Sequence, residues 1–360
     1  HVKSTSIKGI ETPAIFIMVR CSIVLERRLS RHFSTIFICG IFLTLSVLIF
    51  MSFCNMPCED KTYAALHKDG LDNEELGYWN KRLFIPAKKI STFLIILIMS
   101  VPGNKQNRAV IRETWASSLP KEVILKFVIG VGDLATDGKI LLSEENDYHN
   151  DLLMLQFFNE SYTSLTEKLI ESFKWIDKNV HFQFLFKGDE DTFVRVSVLL
   201  EELKSKPKNR LYWGFFDGRA HIKTKGKWQE KDWFLCDRYL PYAVGGGYVL
   251  SSDLVHYIVI NSKVLKVYKS EDVSVGTWLG PLDITRVHDP RFNTEFRSRG
   301  CFNVYIVTHK QSEIDMRTLH FNLKETGRLC NQESKYRNSY IYNWKVPPTQ
   351  CCIRNDSSVP

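Results

Sequence analysis

Three consecutive acids, Asp189, Glu190 and Asp191, follow directly on the apolar run Phe184-Leu185-Phe186 and its Lys187-Gly188 extension. Carboxylates this close raise one another's pKa unless a cation relieves them. Alternate oxygen ligands on a tight turn suit a hard or borderline divalent ion such as Mg²⁺ or Mn²⁺, which completes its shell with water and substrate phosphates. The competing explanation is that Asp191 caps a helix over residues 192–203, since Asp is favoured at an N-cap. A cap accounts for one acid and leaves two beside a buried strand, so the triplet reads as a metal–diphosphate site.

Other residues able to do chemistry are spread along the chain. Arg108 and Arg112 carry the fork of donors that suits phosphate, although a surface ion pair would use them equally well. Asp272 follows Glu271 where a helix could begin, so capping is the plain explanation of its carboxylate. His288 and His309 are metal-ligand candidates or hydrogen-bonded core histidines. Gly245, Gly246 and Gly247 allow a sugar close to the backbone, or make a plain turn. Trp213, Trp233 and Tyr242 offer flat faces for sugar stacking, though most of the eight tryptophans must be core. Gly130-Val131-Gly132-Asp133-Leu134-Ala135 fits a dinucleotide fingerprint. It follows the second strand rather than the first, and Gly138 interrupts the segment expected to be its helix, so nicotinamide binding is set aside.

These residues need a scaffold. Continuous apolar runs at 91–100, 124–131, 151–157 and 182–187 read as strands buried on both faces, as in a parallel sheet. Helical patterns lie between them, at 107–115 and at Leu165, Leu169, Phe173 and Ile176. The alternation predicts an α/β open sheet covered by helices. The chain has 360 residues, 44% of them hydrophobic, and a formal net charge of +8. Its basic residues are scattered and form no nucleic-acid module, so no nucleic-acid partner is expected. Residues 33–53 run for 21 positions without a charge, enough to span a bilayer. Arg27, Arg28 and Arg31 just before them orient the N-terminus to the cytoplasm. The expected organisation is therefore a cytoplasmic tail at 1–32, a signal-anchor at 33–53, a stem at 54–88 and a luminal catalytic domain at 89–360. Disulfides among Cys236, Cys301, Cys330, Cys351 and Cys352, and N-glycans on Asn159 and Asn355, fit that compartment.

The segments NRAVIRETW, FKGDEDTFV, LYWGFF, YLPYAVGGGYVLSSDLV and SEDVSVGTWL resemble, in order, motifs of the β-1,3-glycosyltransferases of glycosyltransferase family 31. HDPRFNTEFRSRGC, VTHKQS and PPTQCC are most similar to the members that add the second galactose of the glycosaminoglycan–protein linker. The resemblance implies a GT-A fold, a Rossmann-like sheet binding UDP beside a smaller acceptor region. It implies an inverting enzyme that uses Mn²⁺, held in the Golgi membrane as a single-pass type II protein. By the same resemblance Asp191, with Asp189, holds the metal, His309 is the other protein ligand, and Asp272 is the base. Arg108, Arg112, Trp115, Lys187, Asp189 and Glu190 fall on the donor side. Trp213, Tyr242, Gly245, Gly246, Gly247 and Glu271 fall on the acceptor side. The middle acid is Glu190 where near relatives resemble Asp. The implied reaction moves galactose from UDP-galactose to galactosyl-β-1,4-xylose on proteoglycan core proteins. An N-acetylglucosaminyl- or N-acetylgalactosaminyltransferase of the family, or a non-catalytic luminal UDP- or sugar-binding protein, are the alternatives.

Overall fold

The computed structural model describes residue 44 and residues 89–231 and 236–360. The expected signal-anchor and stem, and Trp233, lie outside the described residues except for Thr44. Among the described residues no helix is long and apolar enough to cross a membrane. The elements below all belong to the compact unit 85–360.

The first part of this unit alternates strand and helix: β1 (Ile90–Met99), α1 (Lys105–Glu113), β2 (Val123–Gly130), α2 (Thr136–His149), β3 (Leu152–Leu155), α3 (Leu165–Asn179) and β4 (Val180–Asp189). Then come β5 (Phe193–Val194), α4 (Val196–Lys204), β6 (Leu211–Asp217), β7 (Tyr242–Ser251), α5 (Ser252–Asn261), α6 (Glu271–Leu279) and β8 (Thr285–His288). The last part holds β9 (Phe292–Asn293), β10 (Gly300–Cys301), β11 (Val307–Thr308), α7 (Glu313–Thr326) and β12 (Ser334–Lys335).

A seven-stranded sheet runs in the order β3-β2-β1-β4-β7-β6-β8. Its first four strands are mutually parallel, β7 is antiparallel to both β4 and β6, and β8 returns parallel to β6. Leu94, Ile95, Ile96, Leu97 and Ile98 of β1 are all fully buried, as a central strand covered on both faces requires. Leu169, Phe173 and Ile176 form the buried stripe of α3. After β1 the chain builds outward through β2 and β3 and then crosses back to place β4 on the other side. The carboxyl ends of β1 and β4 thus flank the topological switch point, where open α/β sheets bind ligands.

Two local expectations are corrected. No helix starts at Asp191: Phe193 and Val194 instead pair with Thr308 and Val307 in a three-stranded sheet ordered β5-β11-β9, and α4 begins only after Arg195. Both residues are about 1% exposed, so tertiary pairing overrides the local helical pattern. Gly138 does not interrupt α2, which runs through it. Its bare Cα lets Leu134 pack close, 2.8 Å from where a Cβ would stand. Disulfides join Cys301 to Cys330 and the neighbours Cys351 and Cys352. Asn159 and Asn355 are both exposed.

Candidate active site

Asp189 is the last residue of β4, and a tight turn follows in which the Thr192 amide donates to the Asp189 carbonyl at 3.1 Å. The Thr192 hydroxyl donates to the Gly246 carbonyl at 2.7 Å and so ties the turn to β7. The pairing of β5 with β11 delivers the next residue after β11, His309, to the same place. The His309 amide donates to Asn293 O at 3.0 Å, and the Gln311 amide to Asp191 O at 2.9 Å. Asp189, Asp191 and His309 can therefore offer three ligand atoms within 4.8 Å of one another.

His309 Nε2 lies 2.9 Å from Asp191 Oδ1 and 3.4 Å from Asp189 Oδ2. These are ion-pair distances, and Nδ1 on the other side of the ring is buried with no hydrogen-bond partner. Oxygen, oxygen and imidazole nitrogen facing a common point is a donor set that fits a borderline divalent ion. The electrostatics also favour a cation. Burial opposes charge on His309, but the two carboxylates raise its pKa to about 9. Burial would raise Asp189, yet Lys187 and His309 hold it well below the usual carboxylate range. Asp191 is likewise lowered, against burial, by His309 and Lys310, whose Nζ is 2.9 Å from Asp191 Oδ2.

Lys187 precedes Asp189 by two residues and shares its face of β4. Its ammonium is 1% exposed and reaches Asp189 Oδ1 at 2.7 Å, the Gly245 carbonyl at 2.8 Å and Glu271 Oε1 at 2.6 Å. Two of the ammonium's three protons make hydrogen bonds, to Asp189 and the Gly245 carbonyl, and the buried charge is also paired with Glu271. Lys187 therefore does not reach a donor phosphate. It links the triplet to a second acidic pair, Glu271 and Asp272, in the first turn of α6.

Ser270 is the N-cap of α6, and Asp272 is no cap. Asp272 Oδ1 accepts from the Ser270 hydroxyl at 2.5 Å and from the Val273 amide at 2.8 Å, while Oδ2 accepts only from the Gly245 amide at 2.8 Å. Each carboxylate oxygen has two lone-pair sites, so Oδ2 keeps one open. Burial raises the pKa of Asp272 above its ordinary value and, despite Lys187, that of Glu271 to about 7.

The three glycines are part of β7, neither a turn nor a loop. A Cβ on Gly245 would stand 3.1 Å from Glu271 Oε1, and one on Gly246 would stand 2.4 Å from His309 Nδ1. Their missing side chains make room for the acids and the imidazole. Tyr242 opens β7 with its Cβ against Gly276 of α6, beside the acidic pair.

Several residues expected at the site lie elsewhere. Arg108 is fully buried and bonds Glu145 Oε2 at 2.7 Å, the Ser100 hydroxyl at 2.9 Å and the Val101 carbonyl at 2.8 Å. Arg112 pairs with Glu145 and Asp151, each at 2.8 Å. Arg108 has its donors occupied and Arg112 commits its Nε–Nη2 edge to two carboxylates, so neither presents that fork to phosphate. They brace the loop after β1 and the helix behind it. Trp115 and Trp213 are core residues, and Trp213 Nε1 donates to Asp289 Oδ2 at 3.1 Å, so neither ring is available to a ligand. His288 is also a core histidine. Its Nδ1 accepts from the Phe216 amide, its Nε2 donates to Tyr340 O, and burial lowers its pKa to about 4. Glu190 turns toward α1, where Asn104 Nδ2 donates to it, and lines a cleft of about 260 Å³ with Asn107, Asp191, Gln311, Ser312 and Met316. Thr192, Ser270 and Lys310 were not singled out by sequence. Each is one residue from an expected site residue, and adjacency was the only signal they carried.

The family profile described as galactosyltransferase matches residues 106–290, a stretch that contains the triplet and Asp272. A beta-1,3-galactosyltransferase 6 from Mus musculus is 45% identical over 275 residues, covering 74% of this chain and 85% of that protein. A UDP-GalNAc:beta-1,3-N-acetylgalactosaminyltransferase 2 from Xenopus laevis is 32% identical over 157 residues, 43% of this chain and 32% of that protein. A hydroxyproline O-galactosyltransferase GALT6 from Arabidopsis thaliana is 30% identical over 262 residues, 69% of this chain and 37% of that protein. The chain belongs to the galactosyltransferase family.

Proposed function

We propose that the chain is an inverting β-1,3-galactosyltransferase of GT-A fold that moves galactose from UDP-galactose to galactosyl-β-1,4-xylose on proteoglycan core proteins. The observation that carries this reading is the pairing of two separate acidic centres. Asp189, Asp191 and His309 converge at the sheet's switch point, and Lys187 joins them to the buried Glu271–Asp272 pair.

Asp189, Asp191 and His309 would hold Mn²⁺. When bound, the ion neutralises charge on the departing diphosphate as a Lewis acid. The Asp272 carboxylate takes the proton of the acceptor hydroxyl at Oδ2, the oxygen with the open lone pair. Its raised pKa makes it a stronger base than a solvated aspartate. Glu271 is held by Lys187 and cannot swing to the acceptor without breaking a buried ion pair. The apolar stretch at 33–53, the basic residues before it and the two disulfides support a type II protein of the Golgi membrane with this unit in the lumen.

The test is UDP release and product analysis with the full chain in detergent, supplied with Mn²⁺, a galactosyl-xyloside, and either UDP-galactose or UDP-N-acetylglucosamine. Galactose transfer abolished by chelator is the expected result. Transfer from the second donor alone would overturn the donor assignment, and UDP binding with no turnover would overturn the catalytic one.

A further inference from the structure

Away from the metal centre, the C-terminal segment carries an aromatic shelf. Tyr340 Oη donates to the Phe216 carbonyl at 2.7 Å, and the Asn343 amide donates to the carbonyl of Cys351, in the buried Cys351–Cys352 pair, at 2.9 Å. These bonds pin residues 340–344 against the end of β6. The Tyr342 and Trp344 rings stack there with centroids 3.9 Å apart and planes 26° apart, and Trp344 meets Phe216 edge-on at 5.2 Å. Tyr342 is 4% exposed, whereas Trp344 keeps 42% of its surface open. A large aromatic ring fixed by two others yet open to solvent has already lost its rotamer freedom, so a ligand stacking on it need not supply that ordering cost. The Tyr342 hydroxyl is buried and has no hydrogen-bond partner.

A continuous path of contacts runs from this shelf to the acidic pair. The Tyr342 hydroxyl lies against Gly218, 2.3 Å from where a Cβ would be. Asp217, the preceding residue, is directly opposite Tyr242 in the β6–β7 ladder. Tyr242 packs against Gly276 of α6, whose first turn carries Asp272. Asp217 is half-buried at the strand end and adds a carboxylate beside the shelf.

We infer that Trp344, backed by Tyr342, is an acceptor subsite that stacks the apolar C–H face of a β-galactopyranose. The inference rests on the galactosyltransferase reading for its ligand class and assigns the acceptor end of that site. It replaces Trp213, which the core has taken, as the stacking tryptophan.

The test compares Trp344→Ala and Trp344→Phe in the full chain. Trp344→Ala should raise the KM for a galactosyl-xyloside at least tenfold. The KM for UDP-galactose and acceptor-free UDP release should stay unchanged, and Trp344→Phe should restore most of the acceptor affinity. An unchanged acceptor KM overturns the subsite, and so does an equal rise in both KM values, which would signal a structural role. A second arm needs neither turnover nor the alanine variant. In 5-fluorotryptophan-labelled wild-type chain, the resonance missing from Trp344→Phe should shift on adding methyl β-galactoside. Absence of that shift overturns the subsite even where transfer is intact. A shift in a chain that transfers no galactose would keep the subsite and reject the enzymatic reading.

Discussion

Gly246→Ala isolates what a single methyl group does to the metal centre. The added Cβ would stand 2.4 Å from Nδ1 and 2.5 Å from Cγ of His309, and 2.8 Å from the Thr294 carbonyl oxygen. Ordinary carbon contacts begin near ~3.5 Å, so the imidazole must retreat by roughly 1 Å. The backbone is tied close by, with Gly247 paired to Gly188 of β4 and the Gly246 carbonyl bound by the Thr192 hydroxyl, so the imidazole is the part that moves. Metal–ligand distances tolerate about 0.2 Å, so a shift of that size removes His309 from the donor set. Disturbing only the supports of a ligand already costs ~10–100-fold in metal affinity, and full displacement should reach the upper end. Calorimetric titration of Mn²⁺ into the UDP-saturated full chain reads this directly. Overpacking of this kind also costs about 1–3 kcal/mol, a drop of several degrees in Tm. Gly245→Ala is the neighbouring control. Its Cβ meets Glu271 Oε1 at 3.1 Å and Asp272 Oδ2 at 3.2 Å, so turnover should fall while Mn²⁺ affinity is kept. Wild-type Mn²⁺ affinity in Gly246→Ala, or the same defect in both variants, would refute the reasoning.

Further outcomes can be checked with simpler assays. Asp272→Asn removes the proton acceptor and should lower turnover by ~10²–10⁴-fold while Mn²⁺-dependent UDP binding persists. Loss of UDP binding as well would show that Asp272 holds the site together rather than acting as base. Lys187→Met leaves Asp189 and Glu271 without their shared cation, and breaking a buried pair costs about 3–5 kcal/mol. A denaturant midpoint equal to wild type would contradict that role. Burial opposes ionisation of Glu145, but Arg108 and Arg112 lower its pKa to about 2 from 4.5. A depressed carboxylate contributes stability above its unfolded pKa and loses it as pH falls through the folded one. Roughly 3 kcal/mol should therefore disappear between about pH 4.5 and 2. Thermal melts across that range should show a flatter pH dependence in Glu145→Gln, and an unchanged slope would remove Glu145 as its source.

The first four parallel strands were legible because strands covered on both faces appear as continuous apolar runs, and Asp189 and Asp191 because three acids beside such a run need a reason. The partners of the arginines were not. Glu145 and Asp151 lie more than thirty residues beyond Arg108 and Arg112, and a phosphate-binding arginine has no local pattern that distinguishes it from an ion-paired one. Trp213 was misplaced for a similar reason, since Leu211–Phe216 are buried on both faces of β6 and Phe292 of β9, far along the chain, packs edge-on against the indole. The position of His309 depends on the β5–β11 pairing, and two-residue strands carry no periodicity. The β7 glycines showed that something must approach closely, but only the fold reveals that it is the protein's own imidazole and acids.

The placement of β7 between β4 and β6 bears on how the chain is made. β6 leaves the ribosome first, yet it has no seat beside β4 until Tyr242–Ser251 has been synthesised and threaded between them. Until then the edge of β4 that ends in Asp189 stands open, with the apolar run Phe184–Phe186 unpaired on that side. Such an edge is a template for pairing with another nascent chain. A chain terminated within 218–241 would keep the parallel half of the sheet, lose the strand that closes it, and demand chaperone capture rather than merely lack activity.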